Sequence, residues 1–196
     1  LDLSIIDPKS RDEAIKGVKN VMENRINPLG IAEPIVQISK IGRDAALIVE
    51  LPGQKDVQAA INLIGQTARL TFRELNQEGT DYQETGLTGA DLRPGGATLG
   101  QQQTTRAPVI SLTFTNEGTN KFADIHLRNL GKLLAIYLDS TPFQAATVRE
   151  EIGSGQAQIS GSFTIQEAQN TIRLLNAGAL PVPLRLIEQR SIGPSL

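Results

Sequence analysis

The side chains able to titrate, attack or ligate are few in this chain. It has no Cys and a single His, His126. That excludes a thiol nucleophile, a disulfide and nearly every zinc site, which takes about four N or S ligands. A Ser-His-Asp arrangement could use only His126, which lies on a predicted helix, four residues from both Phe122 and Leu130. No motif flags its partners, and the imidazole reads as a partly buried structural group. Glu150-Glu151 and the pair Asp91 and Asp139 are the best carboxylates for acid–base or metal work. They carry no motif and no calcium-loop spacing, so solvated strand ends account for them. Gly153-Ser154-Gly155 begins like a dinucleotide fingerprint but lacks the third Gly and precedes a strand, so it reads as a hairpin turn. No Gly-Lys-Ser/Thr phosphate loop occurs. Lys9, Arg11, Lys16 and Lys19 give one helix a basic side, mixed with Asp12, Glu13 and Glu23 as on a solvated face. No catalytic residue, metal or cofactor is expected.

Composition narrows the class further. The 196 residues suit one domain or two small ones. The hydrophobic fraction is 39%, the charged fraction 20% and the formal charge −2, which is a globular balance. Such a charge gives no electrostatic reason to bind nucleic acid or an anionic membrane. Two Tyr, five Phe and no Trp are few rings from which to build a stacking platform for single strands. No segment reaches the roughly 18 apolar residues of a membrane span. The longest pure apolar run, Leu133 to Leu138, suits a buried strand. The chain begins with Leu and shows no signal peptide, so a processed protein or a cut-out segment is expected. The absence of Cys leaves the compartment open.

The elements that would position these residues follow from periodicity. Residues 3–6 are a short apolar run, a possible strand. Ser10 with Glu13 reads as a capping box, and Asp7 before Pro8 is a rival cap. Ala14, Ile15, Val18, Val21, Met22, Ile26 and Leu29 then recur at helical spacing, ended by Pro28 and Gly30. Residues 34–41 and 45–51 read as a hairpin turned by Gly42-Arg43-Asp44, with Leu47, Val49 and Leu51 on one face. Residues 55–64 form an amphipathic helix ending at Gly65. In 67–75, Ala68, Leu70 and Phe72 alternate with Arg69, Thr71 and Arg73, as in a half-buried strand. The order strand, helix, strand, strand, helix, strand is the ferredoxin-like split βαβ pattern.

Residues 76–108 are rich in Gly and carry three consecutive Gln at 101–103, and they read as loops with one weak strand near 90–99. Order resumes with a strand from 109 and a helix over 117–130. A central strand at 132–139, apolar on both faces, and a strand near 143–150 come next. Residues 156–163 alternate, and Thr164 with Glu167 is a second capping box opening a helix that Gly178 ends. A final strand is expected at about 182–190, entered late because Pro181 and Pro183 cannot donate ladder hydrogen bonds. No internal repeat is found.

Five segments then resemble one family. They are 24–37 (NRINPLGIAEPIVQ), 43–53 (RDAALIVELPG), 85–92 (TGLTGADL), 109–118 (VISLTFTNEG) and 171–196 (TIRLLNAGALPVPLRLIEQRSIGPSL). The Ala-Gly-Ala-Leu-Pro run at 177–181 and Gly193-Pro194-Ser195-Leu196 are the most telling. In this order they resemble the SecD family of bacterial protein-export membrane proteins, over nearly the whole chain. The match is to the large extracytoplasmic domain after the first membrane span. The resemblance implies an α+β architecture: a ferredoxin-like (split βαβ) base at 1–80 plus 181–196, and an inserted α+β head at 81–180 that swings relative to the base. Gly79, Gly86, Gly178, Pro181 and Pro183 are hinge candidates at the two crossings, although ordinary loops use the same residues. The full-length protein is expected in the bacterial inner membrane with this domain on the periplasmic side. There it would work with SecF and the SecYEG translocon on unfolded preprotein, driven by the proton gradient. The proton-carrying groups belong to membrane segments not in this sequence. The Gln-rich stretch at 101–103 departs from the family.

Three readings therefore compete. In the first, the domain captures translocating preprotein and couples head–base motion to export. The second is a ferredoxin-like ligand-sensing regulatory module, which rests on fold alone. The third and weakest is a hydrolase using His126.

Overall fold

The computed structural model describes residues 1, 7–41, 44–54, 56–102, 105–148 and 155–190. It mixes helices with antiparallel sheets, an α+β architecture, and divides into two compact units. The first unit is Leu1–Thr67 with Leu180–Leu196, and the second is Ala68–Ala179.

The first unit is built on α1 (Arg11–Ile26), whose spacing buries Ile15, Val18, Met22 and Ile26 along one stripe. Its entry is a 3-10 turn, Pro8–Ser10, capped by the Asp7 carboxylate, which accepts from the Lys9 N–H at 2.9 Å. Ser10 makes no side-chain cap hydrogen bond. The 3-10 turn gives it helical φ/ψ, not the extended backbone of a capping residue, so Asp7 takes the role. A second 3-10 turn, Asn27–Leu29, ends at Gly30 in the left-handed conformation, with φ 67°.

β1 (Ile35–Ile41) and β2 (Asp44–Glu50) pair antiparallel, with Val36 opposite Val49 and Ile38 opposite Leu47. These four face the helices, while Ile35 and Ile48 on the other face are exposed. α2 (Val57–Gly65) is capped by Asp56, whose carboxylate accepts from the Ala59 N–H at 2.9 Å. Leu180 and Val182 are buried in the same core, with Leu184 packed against it.

Two expected features of this unit differ. The strand at 67–75 forms as β3 (Leu70–Leu75), but it pairs with strands of the second unit rather than with β1 and β2. No strand is assigned over the described part of 182–190. Pro181 and Pro183 remove two donors there, and the segment is held by buried Leu180 and Val182 instead of a ladder. The expected strand at 3–6 and the Gly42-Arg43 turn lie outside the described residues.

The second unit holds two sheets. In the four-stranded sheet the order is β4 (Tyr82–Thr88), β3, β7 (Leu133–Leu138), β8 (Thr141–Thr147). In the three-stranded sheet the order is β5 (Leu92–Gln101), β6 (Pro108–Phe114), β9 (Gln156–Ser160). α3 (Asn116–Arg128) and α4 (Ile165–Ala177) complete it. One core joins these pieces: Phe72, Phe114 and Phe122 meet with centroids 5.0 to 6.1 Å apart, among Leu87, Ile110, Leu112, Ile136 and Ile159. Such aromatic contacts add about 0.5–1.5 kcal/mol each beyond the area they bury.

Residues 76–108, read as loops with one weak strand, hold two strands, β4 and β5. The pattern hid them because both are sheet edges: β4 fully buries only Leu87, and β5 shifts register between Leu92 and Ala97, the stretch that holds Gly95 and Gly96. The alternation at 109–115 and the apolar run at 133–138 did become inner strands, β6 and β7. Thr164 and Glu167 form the expected capping box: the Glu167 N–H donates to Thr164 Oγ1, and the Thr164 N–H to Glu167 Oε2 at 2.7 Å.

Candidate functional site

Among the described residues, the chemistry-bearing side chains do not converge. His126 is buried on α3, its ring 4.3 Å from that of Phe122. Asp91 and Asp139 do separate structural work. Asp91 accepts from the Thr88 N–H at 2.8 Å and pairs with Lys121 Nζ at 2.7 Å. That pair, with Glu117 3.2 Å from the ammonium, raises the Lys121 pKa above its usual value, the hydrogen bond that Lys121 donates to Asp91 being the largest cause. Glu150-Glu151 and Gly153-Ser154 lie outside the described residues. Lys19 on the basic helix side pairs with Glu23 one turn on, at 3.7 Å. Among the described residues, no group of three or more His, Asp or Glu could hold a metal ion, and no helix is long and apolar enough to cross a membrane.

What is built instead is the passage of chain from one unit to the other. Two peptide links carry it, Thr67–Ala68 and Ala179–Leu180. On the first unit's side, the Thr67 carbonyl accepts from the Leu180 N–H at 2.9 Å, which ties the two passages together. The Arg25 guanidinium is 2% exposed and reaches the same place. Its Nη1 donates to the carbonyls of Ile64, at 2.9 Å, and Gln66, and its Nη2 to that of Thr67 at 3.3 Å. The last carbonyls of a helix lack intrahelical partners and carry the negative end of the helix dipole. A buried guanidinium at the end of α2 answers both needs.

On the second unit's side the anchor is Asp139, in the two-residue loop between β7 and β8. Its carboxylate accepts from the Arg69 N–H at 2.8 Å and the Ala68 N–H at 3.3 Å, and its own N–H donates to the Arg69 carbonyl at 2.8 Å. Ala68 is held at φ 55° and Asp139 at φ 57°. For a residue with a Cβ this left-handed backbone costs about 1–2 kcal/mol and persists only where its surroundings over-determine it.

The five hinge candidates separate into two groups. Gly178 caps α4 at φ 90°, its N–H shared between the Leu174 and Leu175 carbonyls, next to the second link. Pro181 and Pro183 follow in the first unit, the Pro181 ring lying over Gly17 of α1. Gly79 and Gly86 are elsewhere: Gly79 turns the β3–β4 hairpin at φ 70°, and Gly86 sits within β4 at φ 85°, beside a register shift. The first passage lies at 67–68, earlier than the 76–86 read from the sequence, because β3 is committed to the second unit by its pairing with β7. Arg25 escaped notice although a signal was present. It stands three residues after Met22, on the stripe that buries Ile15, Val18 and Met22, where a charge needs a reason.

Comparison with known proteins places this arrangement. Residues 68–182 match the family model described as SecDF, P1 head subdomain, and residues 15–77 match that for the protein translocase subunit SecDF, P1 domain, N-terminal. The chain belongs to the SecD/SecDF family. A SecD protein translocase subunit of Leptotrichia buccalis is 42% identical over 188 residues, which is 96% of this chain and 45% of that protein. SecDF of Thermus thermophilus is 37% identical, covering all of this chain and 30% of that protein. The chain thus spans less than half the length of these curated relatives. A solved structure described as a membrane component SecDF that enhances protein export superposes with a TM-score of 0.81 at 36% identity, over 92% of this chain and 94% of that one. SecDF in its super-membrane-facing form superposes at 0.80 and 37% identity, over 90% of this chain and 28% of that one.

Proposed function

We propose that this chain is the extracytoplasmic domain of a Sec-type translocation subunit, and that it captures translocating preprotein and couples motion between its two units to proton-gradient-driven export. The observation carrying this is the family match across both units, with a P1 head model on the second and a P1 N-terminal model on the first. The absence of any convergent catalytic or metal-binding set among the described residues is compatible with a binding and coupling role. In this reading the full-length protein sits in the bacterial inner membrane with the domain on the periplasmic side, beside SecF and SecYEG, and is not an enzyme. The first unit is a base and the second a head. The hinge is the pair of links at 67–68 and 179–180, flanked by Gly178, Pro181 and Pro183. Gly79 and Gly86 are left as turn and strand residues of the head.

Capture of unfolded chains needs sequence-tolerant contacts, and exposed apolar side chains provide them. Leu99, Leu127, Leu130, Leu133 and Ile165 are exposed on the second unit. The test places a photo-crosslinking residue at each of these positions in the full-length membrane protein during export. Adducts with preprotein are expected. Export at the normal rate with no adduct at any position would refute the capture role.

A further inference from the structure

A strand at the edge of a sheet leaves alternate N–H and C=O groups without a ladder partner. Folded chains blunt such edges with charge, proline, irregular register or a covering element. Among the described residues of the second unit, three of the four edge strands use these means. β4 carries Glu84 and a register shift against β3. β5 carries Arg93 and Pro94, and the Asn176 side chain of α4 takes both backbone groups of Ala97. It accepts from the Ala97 N–H at 3.0 Å and donates to the Ala97 carbonyl at 2.9 Å. β8 carries Pro142 and a register shift against β7. β9 reads Gln-Ala-Gln-Ile-Ser, with no charge and no proline, and pairs with β6 in unbroken register.

The partner strand fixes which groups of β9 stay open. The Phe114 N–H donates to the Gly155 carbonyl at 3.0 Å. By the antiparallel alternation, Ala157 and Ile159 then exchange their backbone bonds with Leu112 and Ile110. The backbone groups of Gln156, Gln158 and Ser160 point away from β6, and all three residues are exposed. Among the described residues, one of these groups has a partner: the Ser160 N–H donates to Gln144 Oε1 at 2.8 Å. That partner is a side-chain amide, the same group that every peptide bond presents. Apolar surface adjoins this end of the edge. Phe143, next to Gln144 in the chain, meets Phe163 with ring centroids 5.9 Å apart, and Phe163 lies against Gly161, one residue past β9. Alternate side chains of an added strand would fall on the face of Ala157 and Ile159, the face that joins the core.

We propose that the outer edge of β9 receives an extended segment of unfolded polypeptide by strand addition. Main-chain bonds to Gln156 and Gln158 are indifferent to sequence, and the Phe143–Phe163 pair favours apolar residues at alternate positions. A polypeptide backbone offers donors and acceptors at the spacing this edge leaves open, which selects it over a small ligand. The inference rests on the capture reading; it adds where a chain is held and by which bonds.

The experiment uses the full-length membrane protein and a fluorescent peptide of about seven residues, Val and Thr in alternation between terminal Lys. An N-methylated twin keeps every side chain and loses the main-chain donors. Binding is read by fluorescence anisotropy, and hydrogen exchange over 155–163 by mass spectrometry. With the plain peptide, exchange at the Gln156 and Gln158 amides is expected to slow about tenfold, the worth of one hydrogen bond each. The twin is expected to slow neither. Gln158→Pro removes an outward donor and leaves the β6 ladder its bonds, so it is expected to abolish the slowing. Plain peptide that binds without slowing exchange at β9, equal binding by the twin, or no binding at all each overturns the proposal. Slowing that appears without peptide and grows with protein concentration assigns the edge to a second copy of the chain, and overturns it too. If Gln158→Pro disturbs the fold, the twin on the wild-type protein decides. The capture reading fails separately, by missing preprotein adducts, whereas peptide bound away from β9 leaves that reading standing.

Discussion

Replacing Glu74 by Ala is expected to destabilise the second unit by about 2 kcal/mol at neutral pH, and by much less in acid. Glu74 is the penultimate residue of β3, its side chain 13% exposed, and there it receives the end of α3. Arg128 Nε donates to its Oε2 at 2.8 Å, and Asn129 Nδ2 donates to the same oxygen. Asn129 is 3% exposed and its Nδ2 also donates to the Ile125 carbonyl at 2.8 Å, so removing Glu74 leaves one of its two buried N–H groups without an acceptor, which costs about 1–3 kcal/mol. Arg128 is 46% exposed, so its share is screened to about 1 kcal/mol or less. Relief of the carboxylate's own desolvation offsets part of the loss.

The pH dependence follows from the same contacts. Burial pushes the Glu74 carboxyl up, but the hydrogen bonds from Arg128 and Asn129, with the Arg128 charge, outweigh it and hold the group below its ordinary 4.5. A carboxyl depressed in the folded state contributes its stability above the unfolded value and loses it as pH falls through the folded one. The gap between wild type and Glu74→Ala is therefore full at pH 7 and closes below 4.5. Urea unfolding followed by circular dichroism suits a chain without Trp. Equal stability of the two proteins at pH 7, or a gap of the same size well below 4.5, would refute the reasoning.

Three further outcomes are expected. Phe114→Ala, at the centre of the Phe72–Phe114–Phe122 contacts and fully buried, should cost about 3–5 kcal/mol in the same unfolding assay. Gly118→Ala should cost about 1–3 kcal/mol, because the new Cβ would lie 2.6 Å from the Asp91 carbonyl oxygen; wild-type stability would show that the start of α3 can shift. Thr164→Ala should lose about 1 kcal/mol and speed hydrogen exchange in the first turn of α4, since it removes the hydroxyl that accepts from the Glu167 N–H. Unchanged exchange there would deny the cap its role.

Much of the local structure is written in the residues themselves. The stripe from Ile15 to Ile26 makes α1, the alternation over 109–114 makes β6, and Thr164 with Glu167 opens α4, because each signal acts within a turn or two of its own position. The shortage of catalytic side chains is likewise a property of composition. Partnership between distant elements is not written locally. β3 has the alternation of any half-buried strand, and nothing in Leu70–Leu75 states that it pairs with β7. β4 and β5 are edge strands, whose exposed positions carry little pattern. Arg25 and Asp139 take their meaning from backbone groups 39 to 42 and 70 to 71 residues away. Periodicity selects the face an element buries, whereas only the assembled fold decides which carbonyls and amides need a charged partner, because those unmet groups exist only once the helices end and the strands pair.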